Sequence, residues 1–277
     1  MQVFAEFRFE GQIMADPNTQ SLLAPDEPAP VMVEHENGAS HFFLTSDHAG
    51  RLMPRSVGDL GVPESELGRH IAWDIGIWNV SKLMADAFDS FLVGQRYSRL
   101  VIDCNRDPSV ASSMPEISEE TVIPGNVGLN PGDRQARIDA LFKPYHNRIT
   151  GELDARKGAD RETVLISMHS FTPVFKGFQR PWHVGILYNR DDRLAKIVMD
   201  LLERETGLVV GDNEPYQVSD LTDYTVPVHA ERRGLPHVEV EIRQDLITDE
   251  AGQREWAERF IRILPQAYER FATDHPI

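Results

Sequence analysis

The chain has a single cysteine, Cys104, in 277 residues. No intramolecular disulfide can form, and the fold must rest on its core rather than on crosslinks, as expected in a reducing compartment. It has no apolar run long enough to cross a bilayer. Its N-terminus, MQVFAEFRFEGQ, lacks the basic start and continuous apolar stretch of a signal peptide, so the cytoplasm is the expected location. Positive charge is scarce: 28 Lys and Arg stand against 44 Asp and Glu, a net charge of −16. Nucleic acids and anionic membranes are recognised through a positive footprint, so neither is expected as a partner. The partner expected is small, and self-association is left open.

What is present is globular. Hydrophobic residues make up 41% and charged residues 26%, values of a folded soluble domain. Residues 13–31 carry Pro17, Pro25, Pro28 and Pro30 among polar residues, with neither hydrophobic period. The expected division is therefore an extended or partly disordered arm over 1–35 and one domain over 36–277. Strands are predicted at 41–45, 91–93, 99–103, 163–168, 184–188, 207–210 and 236–242. A long amphipathic helix is predicted from Glu64 to about Phe88, on the spacing of Leu67, Ile71, Ile75, Trp78, Leu83 and Met84. Further helices are predicted at about 131–157, 191–205, 223–234 and 250–272. Val/Ile/Leu-rich strands alternating with helices imply an α/β fold, a central mixed, largely parallel sheet flanked by helices on both faces.

In such a sheet ligands bind beyond the carboxyl ends of the strands. The predicted strand ends carry His48, Asn105-Arg106, His169-Ser170, and Glu241 with Arg243. Two imidazoles and a carboxylate are the ligand set of a catalytic zinc that keeps one position for water. A second, non-ligating carboxylate would take the proton of that water, and an arginine would stabilise the oxyanion. Each residue also has a structural reading. A strand-end histidine is commonly a capped or core residue. Asp74, four residues after His70 on one helix, could be a local pair. Glu241 shares a strand face with Glu239 and could serve a salt bridge with Arg243. Arg106 could be a solvated loop cation, and Cys104 a small apolar core residue. His169-Ser170 raises serine hydrolysis, but there is no Gly-x-Ser-x-Gly elbow.

Seven strings in order sharpen the reading: His48-Ala-Gly, Trp73-Asp-Ile-Gly76, Ser98-Arg-Leu-Val-Ile-Asp-Cys-Asn-Arg106, His169-Ser-Phe-Thr-Pro173, Arg180-Pro-Trp-His-Val-Gly185, Asp212-Asn-Glu-Pro-Tyr216 and Glu241-Ile-Arg-Gln-Asp-Leu246. Together, over about residues 40–270, they resemble the N-formylglutamate amidohydrolases. That resemblance implies a fold like the zinc carboxypeptidases and one Zn2+ per chain, with His48 and His169 as imidazole ligands. It also implies Glu241 as general base and Asn105-Arg106 as the pair that recognises a substrate carboxylate, with Arg180 and Arg243 as further cations. The carboxypeptidase-like pattern has a glutamate three positions after the first histidine; that position is Arg51 here. The carboxylate ligand must then come from elsewhere or be absent; Asp74, within the Trp73-Asp-Ile-Gly string, is the one expected, with His70 as its substitute. The expected reaction is hydrolysis of N-formyl-L-glutamate to formate and glutamate. The alternatives are another N-acyl amino acid or short peptide as substrate, or a zinc- or small-acid-binding homologue without catalysis.

Overall fold

The structure, a computed structural model, describes residues 21–275. Its strands are β1 (Val31–Glu34), β2 (Phe42–Ser46), β3 (Phe91–Gln95), β4 (Ile117–Ser118), β5 (Thr121–Val122), β6 (Val164–Phe171), β7 (Val174–Phe175), β8 (Phe178–Gln179), β9 (Val184–Leu187), β10 (Val210–Asp212) and β11 (His237–Arg243). Its helices are α1 (Glu64–Leu67), α2 (Ile77–Phe88), α3 (Pro131–Arg137), α4 (Lys143–Gly158), α5 (Arg193–Glu203) and α6 (Glu250–Asp274). Seven strands form one sheet in the order β1-β3-β2-β6-β11-β9-β10, while β4-β5 and β7-β8 are separate two-stranded hairpins. The central strands β3, β2, β6 and β11 run parallel; β1 is antiparallel to β3, and β9 to β11. The mixed, largely parallel sheet read from the sequence is what the chain builds.

Alternation along the central strands sorts side chains onto two faces. Phe42 and Leu44 of β2, Val164, Ile166 and Met168 of β6, and Val238, Val240 and Ile242 of β11 join one apolar cluster with α2, α5 and α6. Phe43 and Leu165 point to the other cluster, built with Tyr145, Ile149 and Leu153 of α4. On that second face β6 continues with Ser167 and His169, and β11 with Glu239 and Glu241, all buried. The polar residues thus stand where the apolar face gives way toward the strand ends.

Four expectations are corrected. The helix expected over 64–88 is two helices, with turns between Leu67 and Ile77. Gly76 adopts φ +82°, and a Cβ there would come 2.1 Å from the Ile247 carbonyl, so the chain turns at a point that only glycine fits closely. The apolar spacing reported burial correctly but could not report that break. The strand expected at 99–103 is a turn, closed by Val101 N–H donating to the Ser98 carbonyl at 3.0 Å. Leu100, Val101 and Ile102 are buried without extension, because a short apolar run specifies an interior position and not a backbone state. The helix expected at 223–234 is a π-helical turn, Val226–Ala230, followed by a 3-10 turn, Glu231–Arg233.

Finally, residues 21–35 are not outside the core. Leu22 is buried, β1 pairs with β3, and the Tyr97 hydroxyl donates to the Pro28 carbonyl at 2.8 Å. The rest of the expected arm, residues 1–20, lies outside the described residues.

Candidate active site

His48 follows β2 by two residues, at the point where the chain leaves the sheet. Gly50 permits the exit: a Cβ there would lie 2.0 Å from the Arg96 carbonyl, and its N–H donates to the Gln95 carbonyl at 2.9 Å. His169 lies within β6 rather than after it, directly beside Glu241 in the parallel register of β6 with β11. Asp74 sits in the turn ahead of α2, not on a helix face with His70. Its N–H donates to the His48 carbonyl at 3.0 Å, and its Oδ2 accepts from the Ser170 N–H at 3.3 Å. Three separate segments are thereby tied together before any ligand is considered.

The side chains converge. His48 Nδ1 lies 3.3 Å and His169 Nδ1 3.0 Å from Asp74 Oδ2. One ligand atom from each of His48, Asp74 and His169 falls within 4.8 Å of the others, and all three residues are buried. His70 stands apart, with Nε2 3.4 Å from Glu119. The other nitrogen of each imidazole faces a second carboxylate. His48 Nε2 is 2.7 Å from Asp103 Oδ1; His169 Nε2 is 3.3 Å from Asp47 Oδ2 and 3.1 Å from the Ser167 hydroxyl. A carboxylate behind an imidazole fixes its tautomer and ring orientation and raises the basicity of the nitrogen facing the site.

Arg99 locks this outer layer. It donates to Asp103 Oδ2 through Nε at 3.0 Å and Nη2 at 2.5 Å, and to Asp74 Oδ1 through Nη1 at 3.4 Å. On the other side the Thr225 hydroxyl donates to Asp47 Oδ1 at 2.8 Å. Burial alone would raise the Asp47 carboxyl, but hydrogen bonding to His169 and the nearby imidazole charges bring it down to about 2. Burial opposes the charge on Asp74 as well, and the His48 charge and hydrogen bonds from both histidines hold it far below the usual range. Asp47, Asp103 and Arg99 went unassigned in the sequence, although Asp47 directly precedes His48, and Arg99 and Asp103 fall inside a quoted string.

Glu241 is 6% exposed, and its Oε2 has no hydrogen-bond partner among the described residues. Burial pushes this carboxyl up to about 8, against the pull of His169. It shares a cleft of about 430 Å³ with His48, Asp74, His169, Arg99 and Arg106. The salt bridge with Arg243 does not form. Arg243 pairs with Asp245 at 2.8 Å and reaches the Arg180 and Trp182 carbonyls at 3.5 and 3.3 Å, and it does not line the cleft. Its expected place among substrate-binding cations is corrected accordingly.

Asn105 lines the cleft, but its Oδ1 accepts from the Tyr224 and Thr225 N–H groups at 3.0 and 2.9 Å, which makes it the anchor of that loop. Arg106 is partly buried in the cleft wall, 3.9 Å from Asp103. Arg180 stacks behind the wall on Phe171, Phe175 and Tyr216, 4.7 to 5.7 Å from the ring centres. It is 6% exposed, and its hydrogen bonds go to the Thr172 carbonyl and the Tyr216 hydroxyl; among the described residues none goes to a carboxylate. The Ser170 hydroxyl donates to the Ile75 carbonyl at 2.9 Å, a positioning contact and not that of a nucleophile. Cys104 is buried, its thiol pushed well up by that burial.

The class that emerges is an α/β protein with a two-histidine, one-carboxylate group at its strand ends and a free buried glutamate beside it. The chain belongs to the N-formylglutamate amidohydrolase family, whose pattern it matches over residues 40–248, and is accordingly a hydrolase of the amidohydrolase kind. The crystal structure of gene product Atu2144 from Agrobacterium tumefaciens is 37% identical and superposes with a TM-score of 0.87, covering 90% of this chain and 98% of that one. The N-formylglutamate amidohydrolase of Ralstonia eutropha JMP134 is 19% identical with a TM-score of 0.65, covering 87% of this chain and 98% of that one, and shares the fold. No curated protein matches the sequence.

Proposed function

We propose that the chain hydrolyses the amide bond of an N-acylated acidic amino acid, N-formyl-L-glutamate first among them, to formate and glutamate, using one zinc ion. The observation that carries the reading is the convergence of His48, Asp74 and His169 beside Glu241, whose Oε2 has no hydrogen-bond partner among the described residues. The donor set suits zinc: two imidazole nitrogens and one carboxylate oxygen face a common point, each imidazole is backed by its own carboxylate, and the cleft is open to water. When bound there, zinc lowers the pKa of water toward ~7 and polarises the amide carbonyl.

The chain's own residues do the rest. Glu241 takes the proton of the attacking water and returns it to the departing amine; a carboxyl raised into the neutral range is suited to both transfers. Arg106 meets a substrate carboxylate at the cleft wall. Arg180, behind that wall on Phe171, Phe175 and Tyr216 and with no acidic partner among the described residues, supplies a second cation once the Tyr216 ring and its hydroxyl move aside, and a guanidinium favours the bidentate geometry of a carboxylate. A dicarboxylic substrate uses both. Asn105 acts on the substrate only through the loop it holds.

The test is zinc content by elemental analysis, with formate release from N-formylglutamate measured before chelation, after it, and after zinc return. Near-stoichiometric zinc with chelator-sensitive release supports the reading. Zinc without release removes the substrate assignment, and absence of any bound metal removes the roles given to His48, Asp74 and His169.

A further inference from the structure

The cleft holds a second buried carboxyl that the proposed mechanism leaves idle. Glu239 is 3% exposed, lines the same cleft as Glu241, and has its Oε2 without a hydrogen-bond partner among the described residues. Its place is set by register. In the parallel pairing of β6 with β11, Glu241 stands beside His169 and Glu239 beside Ser167. Glu239 is therefore one pleat repeat, about 6.6 Å, further from the strand ends. The cations are elsewhere: of those lining the cleft, Arg99 is held by Asp103 and Asp74 and Arg106 is in the wall after the 99–103 turn, while Arg180 lies behind Phe171 and Phe175. Asp223, also lining the cleft, is already satisfied by the Ser219 N–H at 3.0 Å and the Thr222 hydroxyl at 2.7 Å. In the pose of the proposed function, with the carboxylates toward the arginines and the scissile carbonyl at the histidines, Glu239 is the cleft carboxyl left for the acyl substituent to meet.

A buried acceptor with no protein donor is satisfied by water or by a donor on the ligand, and a site whose polar group is paired only by the ligand rejects an isostere lacking the donor. We infer that this site also hydrolyses N-carbamoyl amino acids, with Glu239 accepting a hydrogen bond from the terminal NH2 of the ureido group. The inference rests on the placement of the reaction at His48, Asp74, His169 and Glu241. The water oxygen bonds to the ureido carbon and the bond from that carbon to the amino-acid nitrogen breaks. One water proton passes through Glu241 to the departing amine. The carbamic acid left behind breaks down to ammonia and carbon dioxide.

N-carbamoylglutamate and N-acetylglutamate are nearly isosteric, differing by NH2 against CH3 at the position that meets Glu239. Their dissociation constants for the zinc-loaded protein are measured by calorimetry, alongside turnover of each, for the wild type, Glu239→Leu and Glu239→Gln. The wild type is expected to bind the carbamoyl compound at least ~30-fold tighter and to release ammonia from it, a modest share of the discrimination donor-reading sites reach. Glu239→Leu should bring the ratio near one, and Glu239→Gln, which keeps an acceptor oxygen and the shape, should retain part of it. Equal binding in the wild type, failure of both compounds to bind, absence of ammonia release, or a ratio that survives Glu239→Leu overturns the inference. Formate release from N-formylglutamate in the same preparation judges the proposed function separately.

Discussion

Replacing Asp103 with Asn tests whether the outer carboxylates hold the imidazoles in place. Asp103 accepts four hydrogen bonds: His48 Nε2 at 2.7 Å and the Asn105 N–H at 2.9 Å on Oδ1, and Arg99 Nε at 3.0 Å and Nη2 at 2.5 Å on Oδ2. An asparagine offers one acceptor oxygen and one NH2, so two of these donors must face another donor. If the oxygen stays with His48, Arg99 loses its hold and with it the restraint on Asp74. If the amide turns over, His48 is freed to take the other tautomer. Either way the ligand set loosens, and loss of such a backing group weakens metal binding by about 10- to 100-fold, equivalent to about 1.4–2.7 kcal/mol. Zinc affinity is read by competition against a chromophoric chelator, with circular dichroism confirming that the fold is kept. An affinity within twofold of wild type in a folded variant would refute the role of Asp103.

Glu241→Gln should leave zinc affinity nearly unchanged and lower kcat by roughly 10²- to 10⁴-fold, the range a general base contributes; steady-state kinetics on N-formylglutamate decide it. Gly76→Ala forces a Cβ to 2.1 Å from the Ile247 carbonyl at φ +82°, so denaturant unfolding should show a loss on the order of 2–3 kcal/mol. Below neutrality the buried pair His146 and His229, 2.8 Å apart, should weaken the fold. Burial holds His146 at about 4 and His229 at about 3, so the unfolded chain binds more protons from the ordinary value of 6.5 down to about 4 for His146 and about 3 for His229. Their contribution is complete above pH 6.5 and is lost as the pH falls through that window, on the order of 3 kcal/mol for His146 alone. His146→Gln should flatten this part of the stability profile measured by urea titration across pH 4–7.

The central strands were legible because β2 and β3 are largely apolar on both faces and β6 and β11 keep one continuous apolar face, and the strand-end rule then placed His48, His169 and Glu241 on one rim. Asp74 was reached through its motif and not its spacing: helical periodicity paired it with His70, whereas Gly76 breaks the chain and turns Asp74 toward His48. Asp47, Asp103 and Arg99 were hidden for a different reason. Their partners are distant in sequence, and an acid next to a histidine, or an Arg and an Asp four apart, reads as local charge until the sheet brings the three segments together. Arg243 misled in the opposite way. Its place on the strand of Glu241 suggested the rim, but its guanidinium is drawn to Asp245 and two backbone carbonyls. The turn at 99–103 shows the same limit, because hydropathy reports how deep a segment lies and says little about how it is folded there.

The strand formed by Val31–Glu34 was placed by its polar, proline-rich surroundings outside the domain, yet it occupies the outer margin of the sheet. Pro30 and Ala29 extend the attachment, accepting from the Arg96 N–H at 2.8 Å and from Arg96 Nε at 2.9 Å. Shortening the gene to the apparent domain start would strip this cover and leave β3, with Leu92 and Val93, as a bare template for strands of other molecules. A form that begins after β1 is expected to self-associate through that edge, which size-exclusion chromatography against the full chain would read as loss of the monomer peak.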